Sequence, residues 1–274
     1  MQNHYSDNII ILNEAIDKAH AAGNPIDTDP IQYIDEQAIA QMDTSKEKYN
    51  PELDNGGVPF PTLLFPGSFS PFTDGHYVLL LKNIVALRNQ LNAPAGNIKV
   101  VILMSSKDRE GIKSKSVWKF VRRIYADDHR VNVLLCDESP ISMAYKIVQE
   151  AHPGEKFALV ASTKDDDSRV SSFVKSFSEG GKYHTEGVEV IDLKVDKRPY
   201  CYDNRFDEFN GKPVSASVVR EDLRNCGFRE FKTSFAFILK NTRTIDEKAI
   251  EQLWQALKKQ VAPITKESEE KLKA

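Results

Sequence analysis

Cysteine is scarce in this chain: three residues in 274, Cys136, Cys201 and Cys226, at no regular spacing. An odd, scattered set cannot form a disulfide framework and reads as free thiols in a reducing, cytoplasmic compartment. Neither C-x-x-C nor H-E-x-x-H occurs, so the spacings that announce a zinc site are missing. No apolar run approaches the roughly 20 residues that cross a bilayer. The N-terminal residues lack the basic stretch and apolar core of a secretory signal, so no membrane partner is expected. A strong charge of one sign is missing too. The 37 Lys and Arg against 40 Asp and Glu leave a net −3, which excludes a general nucleic-acid coat while allowing a local basic groove. No internal repeat is present. What remains is globular composition, and a chain long enough to bury a full core as one large domain or one domain with appendages.

Organisation follows from patterning. Residues 1–57 form a polar, helix-prone extension, with helices expected over 8–19 and 30–42 and a turn-rich boundary at 50–57. Residues 58–240 alternate between apolar runs and helical spacing. Strands are expected at 62–65, 98–105, 130–135, 157–161 and 187–193. Helices are expected over 77–84, over 116–125, over 139–150 with Pro140 in the first turn, and over 170–177. This alternation predicts an α/β fold built on a doubly wound parallel sheet, with ligands beyond the carboxyl ends of its strands. Residues 198–212, polar with interleaved aromatics, form either a lid or a plain surface excursion. Within 241–274, Ile250, Leu253, Trp254, Leu257 and Val261 have the spacing of a docked C-terminal helix, followed by a charged, frayed tail.

The most informative stretch is Phe65-Pro66-Gly67-Ser68-Phe69-Ser70-Pro71-Phe72-Thr73-Asp74-Gly75-His76. It joins a buried strand to a helix. A helix start presents unpaired N–H groups and a positive dipole end to an anion. Gly67 and Gly75 would let backbone and ligand approach closely, and His76 adds a donor in the first turn. A second stretch, Pro213-Val214-Ser215-Ala216-Ser217-Val218-Val219-Arg220, reads as another helix start. Ser215 suits the N-cap, Ser217 offers a hydroxyl in the first turn, and Arg220 lies one turn on. Glu221 misses the capping-box position by one.

The first stretch resembles the G-S/T-F-x-P-x-H/T-x-G-H signature of the nucleotidylyltransferase superfamily. Gly67, Ser68, Phe69, Pro71, Thr73, Gly75 and His76 fall on the pattern, and Thr73 with Pro66 is similar to the form in pantetheine-phosphate adenylyltransferases. The second resembles the family's I-S-S/A-T-x-[IV]-R motif. The resemblance implies a Rossmann-like fold and transfer of AMP from ATP to a phosphate-bearing acceptor, such as nicotinamide mononucleotide or a phosphopantetheine, with release of pyrophosphate. It further implies that His76 stabilises the α-phosphate and leaving oxygens. Ser68 and Phe69 would present backbone N–H groups to the triphosphate, and Thr73 would bond a phosphate at the junction of donor and acceptor. Ser215, Ser217 and Arg220 would hold the β- and γ-phosphates, and Mg2+ would arrive with ATP.

The family's lysine on the loop after the second strand is assigned to Lys107, with Lys113, Lys115 and Lys119 as competitors. Where the pantetheine branch carries an R-G pair, this chain has residues 161–167, whose three aspartates could cap the next helix or bind metal. A cytidylyltransferase is the alternative, although the H-x-G-H and R-T-x-G-I-S-T-T forms usual there are absent. A non-catalytic nucleotide-binding protein of the same fold is another. The segments beyond the family's compact length are candidates for setting a homo-oligomer or choosing the acceptor.

Overall fold

A computed structural model describes residues 59–92, 98–161, 168–195 and 214–261. The expected helices in 8–19 and 30–42, the aspartates at 165–167, Cys201, the 198–212 segment and the tail at 266–274 lie outside the described residues.

Five parallel strands form one sheet: β1 (Thr62–Gly67), β2 (Lys99–Ser105), β3 (Val131–Cys136), β4 (Lys156–Leu159) and β5 (Glu189–Ile191), in the order β3-β2-β1-β4-β5. Helices α1 (Asp74–Leu91), α2 (Ser114–Ile124), α3 (Pro140–Gln149) and α4 (Ser168–Phe177) fall between successive strands. Among the described residues, four more follow the sheet: α5 (Ala216–Asn225), α6 (Phe228–Thr233), α7 (Ala236–Asn241) and α8 (Glu247–Lys258). This is an α/β, Rossmann-like, doubly wound fold.

Alternate side chains of each strand point to opposite faces, so two cores form. Leu63, Phe65, Val100 and Ile102 pack with α1, α2 and the helices after the sheet. Leu64, Leu103, Phe157 and Leu159 pack with α3 and α4. A central strand covered on both faces must be apolar at nearly every position, and Thr62, Leu63, Leu64 and Phe65 of β1 are all buried. The C-terminal helix is integral to the first core, since Ile250, Leu253 and Leu257 share it with Leu63 and Phe65.

The order fixes where a ligand would go. From β1 the chain moves outward through β2 to β3, then returns to place β4 on the other side of β1. Connections after β1 and β4 therefore diverge to opposite faces and leave a crevice at the carboxyl ends of these strands. The 65–76 stretch begins at the end of β1. Asn83 of α1, fully buried, fastens the neighbouring edge: its Oδ1 accepts the Ala161 N–H at 3.0 Å and its Nδ2 donates to the Ala161 carbonyl at 3.4 Å.

Candidate active site

After Gly67 the chain turns sharply before entering α1. Phe69 adopts a left-handed backbone (φ 45°), and the Ser70–Pro71 peptide is cis. The Phe69 ring doubles back over Gly67, where an added Cβ would stand 2.6 Å from the ring. That ring is held by Phe65 at 4.8 Å, Phe72 at 5.5 Å and His76 at 5.3 Å between centroids. The sequence suggests that Gly67 admits a ligand; the space is filled by the chain's own aromatic ring.

Thr73 caps α1 in an extended conformation. Its backbone N–H donates to His76 Nδ1 at 3.1 Å, and its Oγ1 lies 3.0 Å from the same nitrogen. This is the returning arm of a capping box with histidine in the place of Glu or Gln. A nitrogen that accepts an N–H carries no proton, so the hydrogen bond assigns the neutral tautomer, with the ring proton on Nε2. The imidazole stacks on Phe72, with centroids 5.5 Å apart and planes at 27°. His76 is therefore oriented from two sides.

The two helix starts meet. A Cβ on Gly75 would stand 2.2 Å from the carbonyl oxygen of Val214, the residue before the α5 cap. Gly75, too, makes room for protein backbone. Ser215 caps α5, its Oγ accepting the Val218 N–H at 3.4 Å and lying 2.8 Å from Ser217 Oγ. Arg220 is only 7% exposed. Its Nη1 donates to the Ser70 carbonyl at 2.6 Å, inside the β1–α1 loop, and its Nη2 meets Glu110 at 2.9 Å. Its Nε is buried with no hydrogen-bond partner.

Glu110 comes from the β2–α2 loop. Arg109 and Ile112 exchange backbone hydrogen bonds, at 3.1 and 2.9 Å, across Glu110 (φ 49°) and Gly111 (φ 84°). Positive φ at both central residues is the signature of a type I′ turn, and it explains a glycine there. The turn carries Arg109 to Ser68 Oγ at 3.2 Å, and Glu110 to both Arg220 and Arg224, the latter at 3.0 Å. Burial pulls the Glu110 carboxyl up, but the bonds from Arg220 and Arg224 outweigh it and hold the group below the usual carboxylate range.

Gly67, Ser68, Phe69, Thr73, Gly75 and His76 thus share one loop and helix start, and Ser215 and Arg220 are brought against it, with Ser217 exposed beside Ser215. Lys107 is exposed on the β2–α2 loop, where its N–H donates to Ser105 Oγ at 3.2 Å. Arg109, two residues on, is the basic side chain of that loop that reaches the 65–76 stretch. Arg109, Glu110 and Arg224 are not singled out by sequence. Two signals could have found them: the Glu-Gly pair in a polar loop, and the spacing of Arg224 one turn beyond Arg220 on the same face. Among the described residues, no group of three His, Cys, Asp or Glu side chains is arranged to hold a metal. No family model matches the chain, and no curated protein matches it as a relative.

Proposed function

We propose that this chain is a nucleotidylyltransferase that transfers AMP from ATP to a phosphate-bearing acceptor and releases pyrophosphate. One observation carries the reading: Arg220, from far along the sequence, donates to the Ser70 carbonyl inside the loop on which the His76 ring is stacked. A polarised imidazole N–H and a buried guanidinium then serve one short stretch of backbone beyond the carboxyl end of β1. Beside them lie two helix N-termini, whose positive dipole ends favour anions.

The acceptor phosphate is already anionic at neutral pH and needs no general base to attack the α-phosphorus. As the new P–O bond forms, the bond to the pyrophosphate oxygen breaks and negative charge gathers on the leaving and non-bridging oxygens. His76 Nε2–H donates to those oxygens without itself changing charge. The Thr73 N–H fixes the ring so that no reorganisation is needed when charge develops. Arg220 and the Ser215 and Ser217 hydroxyls take the β- and γ-phosphates. Arg109, Arg220 and the hydroxyls of Ser215 and Ser217 gather at the loop, and of the carboxylates near it Glu110 is engaged by arginines and Asp74 by the N–H groups of α7. That donor set fits a magnesium ion carried on the triphosphate's own oxygens and water; when bound, it neutralises phosphate charge.

Pyrophosphate release tests the reading, with ATP and CTP each offered against nicotinamide mononucleotide, a phosphopantetheine, FMN and phosphocholine. ATP should support release with one of the first two acceptors. His76→Ala should lower turnover roughly a hundredfold, the loss typical of removing one preorganised donor, while stability falls by only about 1 kcal/mol for the lost cap. Release with CTP alone would reassign the chain as a cytidylyltransferase. ATP binding without release from any pair would leave a binding protein.

A further inference from the structure

Three guanidiniums surround one carboxylate at this site. Arg220 Nη2 lies 2.9 Å and Arg109 Nε 3.9 Å from Glu110 Oε1, while Arg224 Nη2 lies 3.0 Å from Oε2. Within this cluster positive charge exceeds negative by two. The excess is not spread on the surface: the Arg220 side chain is 8% and the Arg224 side chain 23% exposed, against 55% for Arg109. Burying a guanidinium is costly unless anionic or hydrogen-bonding partners satisfy it. Arg220 is satisfied at both Nη atoms, yet its Nε–H is buried without a partner. Such a cluster favours a further, more highly charged anion. The geometry also matches: a carboxylate bridging two guanidiniums through its separate oxygens occupies them as two oxygens of one phosphate would.

Resting on the nucleotidylyltransferase reading, we propose that Glu110 is a built-in stand-in for substrate phosphate. On entry, polyphosphate displaces its carboxylate from Arg220 and Arg224 together, which makes Arg224 a second phosphate-binding arginine. Glu110 is suited to leave. It sits at the tip of a two-residue turn, it is 39% exposed on its side chain, and it belongs to no helix or strand. Its departure exposes the arginines only when a stronger anion replaces it, so the buried cations are paired in both states. Exchange also sets specificity: a monoanion gains little over the carboxylate, whereas a di- or triphosphate outcompetes it.

Titration calorimetry with inorganic tripolyphosphate tests this on the intact chain, on Glu110→Gln and on Arg224→Ala. Glutamine keeps an acceptor oxygen for the arginines but gives up the charge, so Glu110→Gln should bind tripolyphosphate roughly tenfold more tightly. Arg224→Ala should bind at least tenfold more weakly. Equal or weaker binding by Glu110→Gln, or unchanged binding by Arg224→Ala, overturns the exchange. The unmodified chain gives an independent measurement, since the Nε–H resonances of Arg220 and Arg224 should shift together as tripolyphosphate is added. A shift at Arg220 alone removes Arg224 from the site. If the intact chain binds tripolyphosphate and Arg220→Ala abolishes it, the phosphate assignment stands whatever Glu110 does. If the intact chain and Glu110→Gln both fail to bind, the phosphate assignment falls and the exchange falls with it.

Discussion

The glycines of the 65–76 stretch illustrate how one residue type can be required for a reason other than the expected one. Sequence marks Gly67 and Gly75 as positions where a ligand would come close, because their spacing between a buried strand and a helix start suits an anion. That spacing was legible; the atoms that fill the space were not, because they belong to residues remote in sequence or to an aromatic ring folded back on its own loop. At Gly75 the neighbour is the Val214 carbonyl, part of the backbone at the mouth of α5. Alanine is the better helix former by up to ~1 kcal/mol. A Cβ 2.2 Å from a fixed carbonyl oxygen costs more, about 1–3 kcal/mol for overpacking that backbone must relieve. Gly75→Ala should therefore lower stability by roughly 1 kcal/mol net in urea denaturation, and, on the proposed function, also weaken ATP binding, because α1 and α5 must part. A gain in stability would mean that the two helix starts are not in contact.

Among the elements, the long, strongly periodic ones were readable: all five strands and α1 to α4 lie where alternation and capping residues put them, with ends shifted by a few residues except at α1, which runs on to Leu91, seven residues past its expected end. Helices α6 and α7 were not. Each has six residues, too short for a 3.6-residue period to repeat, and each is fixed by long-range contacts. For α7 the contact is Asp74, a position the signature leaves open. Its two carboxylate oxygens accept the Phe237 N–H at 2.8 Å and the Ile238 N–H at 3.0 Å, and its own N–H donates to the Ser234 carbonyl at 3.0 Å. Asp74 thereby ties the first turn of α1 to the first turn of α7. Burial pushes its carboxyl up to about 8, against the two N–H donors, from an ordinary 3.8. Between those values the folded chain retains a proton that the unfolded chain has released. The associated stability is complete at low pH and is lost as pH rises toward 8. Asp74→Asn has no such proton and has a single acceptor oxygen for two N–H groups, a loss of about 1 kcal/mol. The stability advantage of the native chain over Asp74→Asn should narrow as denaturation is followed from about pH 5 to about pH 9. A constant or widening gap would show that the two N–H donors outweigh burial and keep the carboxylate ionised.

At the scale of the whole molecule, the residue just past the C-terminal helix, Gln260, meets the loop that carries Arg109 and Glu110. The apolar spacing from Ile250 to Val261 announces a docked helix, and α8 buries Ile250, Leu253 and Leu257 in the core beneath α1 and α2. Spacing cannot say what the residues after the helix touch. Gln260 lies just beyond α8: its Oε1 accepts the Lys113 N–H at 2.7 Å and its Nε2 donates to Ser116 Oγ at 3.2 Å. Its backbone carbonyl is the atom that a Cβ on Gly111 would meet, at 2.7 Å. The end of α8 thus braces, from behind, the turn that presents Arg109 and Glu110, and the start of α2 beside it. Gln260→Ala removes the side-chain bonds while leaving the apolar face of α8 untouched, so global stability should fall by only about 1 kcal/mol. Local effects should be larger than that figure suggests. Amide exchange at Lys113 should accelerate about five- to tenfold, since one hydrogen bond near 1 kcal/mol guards it. Because a looser turn holds Arg109 and Glu110 less firmly, tripolyphosphate affinity should change severalfold although Gln260 touches none of the arginines. Faster exchange with unaltered affinity would confine Gln260 to a structural brace; unaltered exchange would mean that the helix end does not hold the turn.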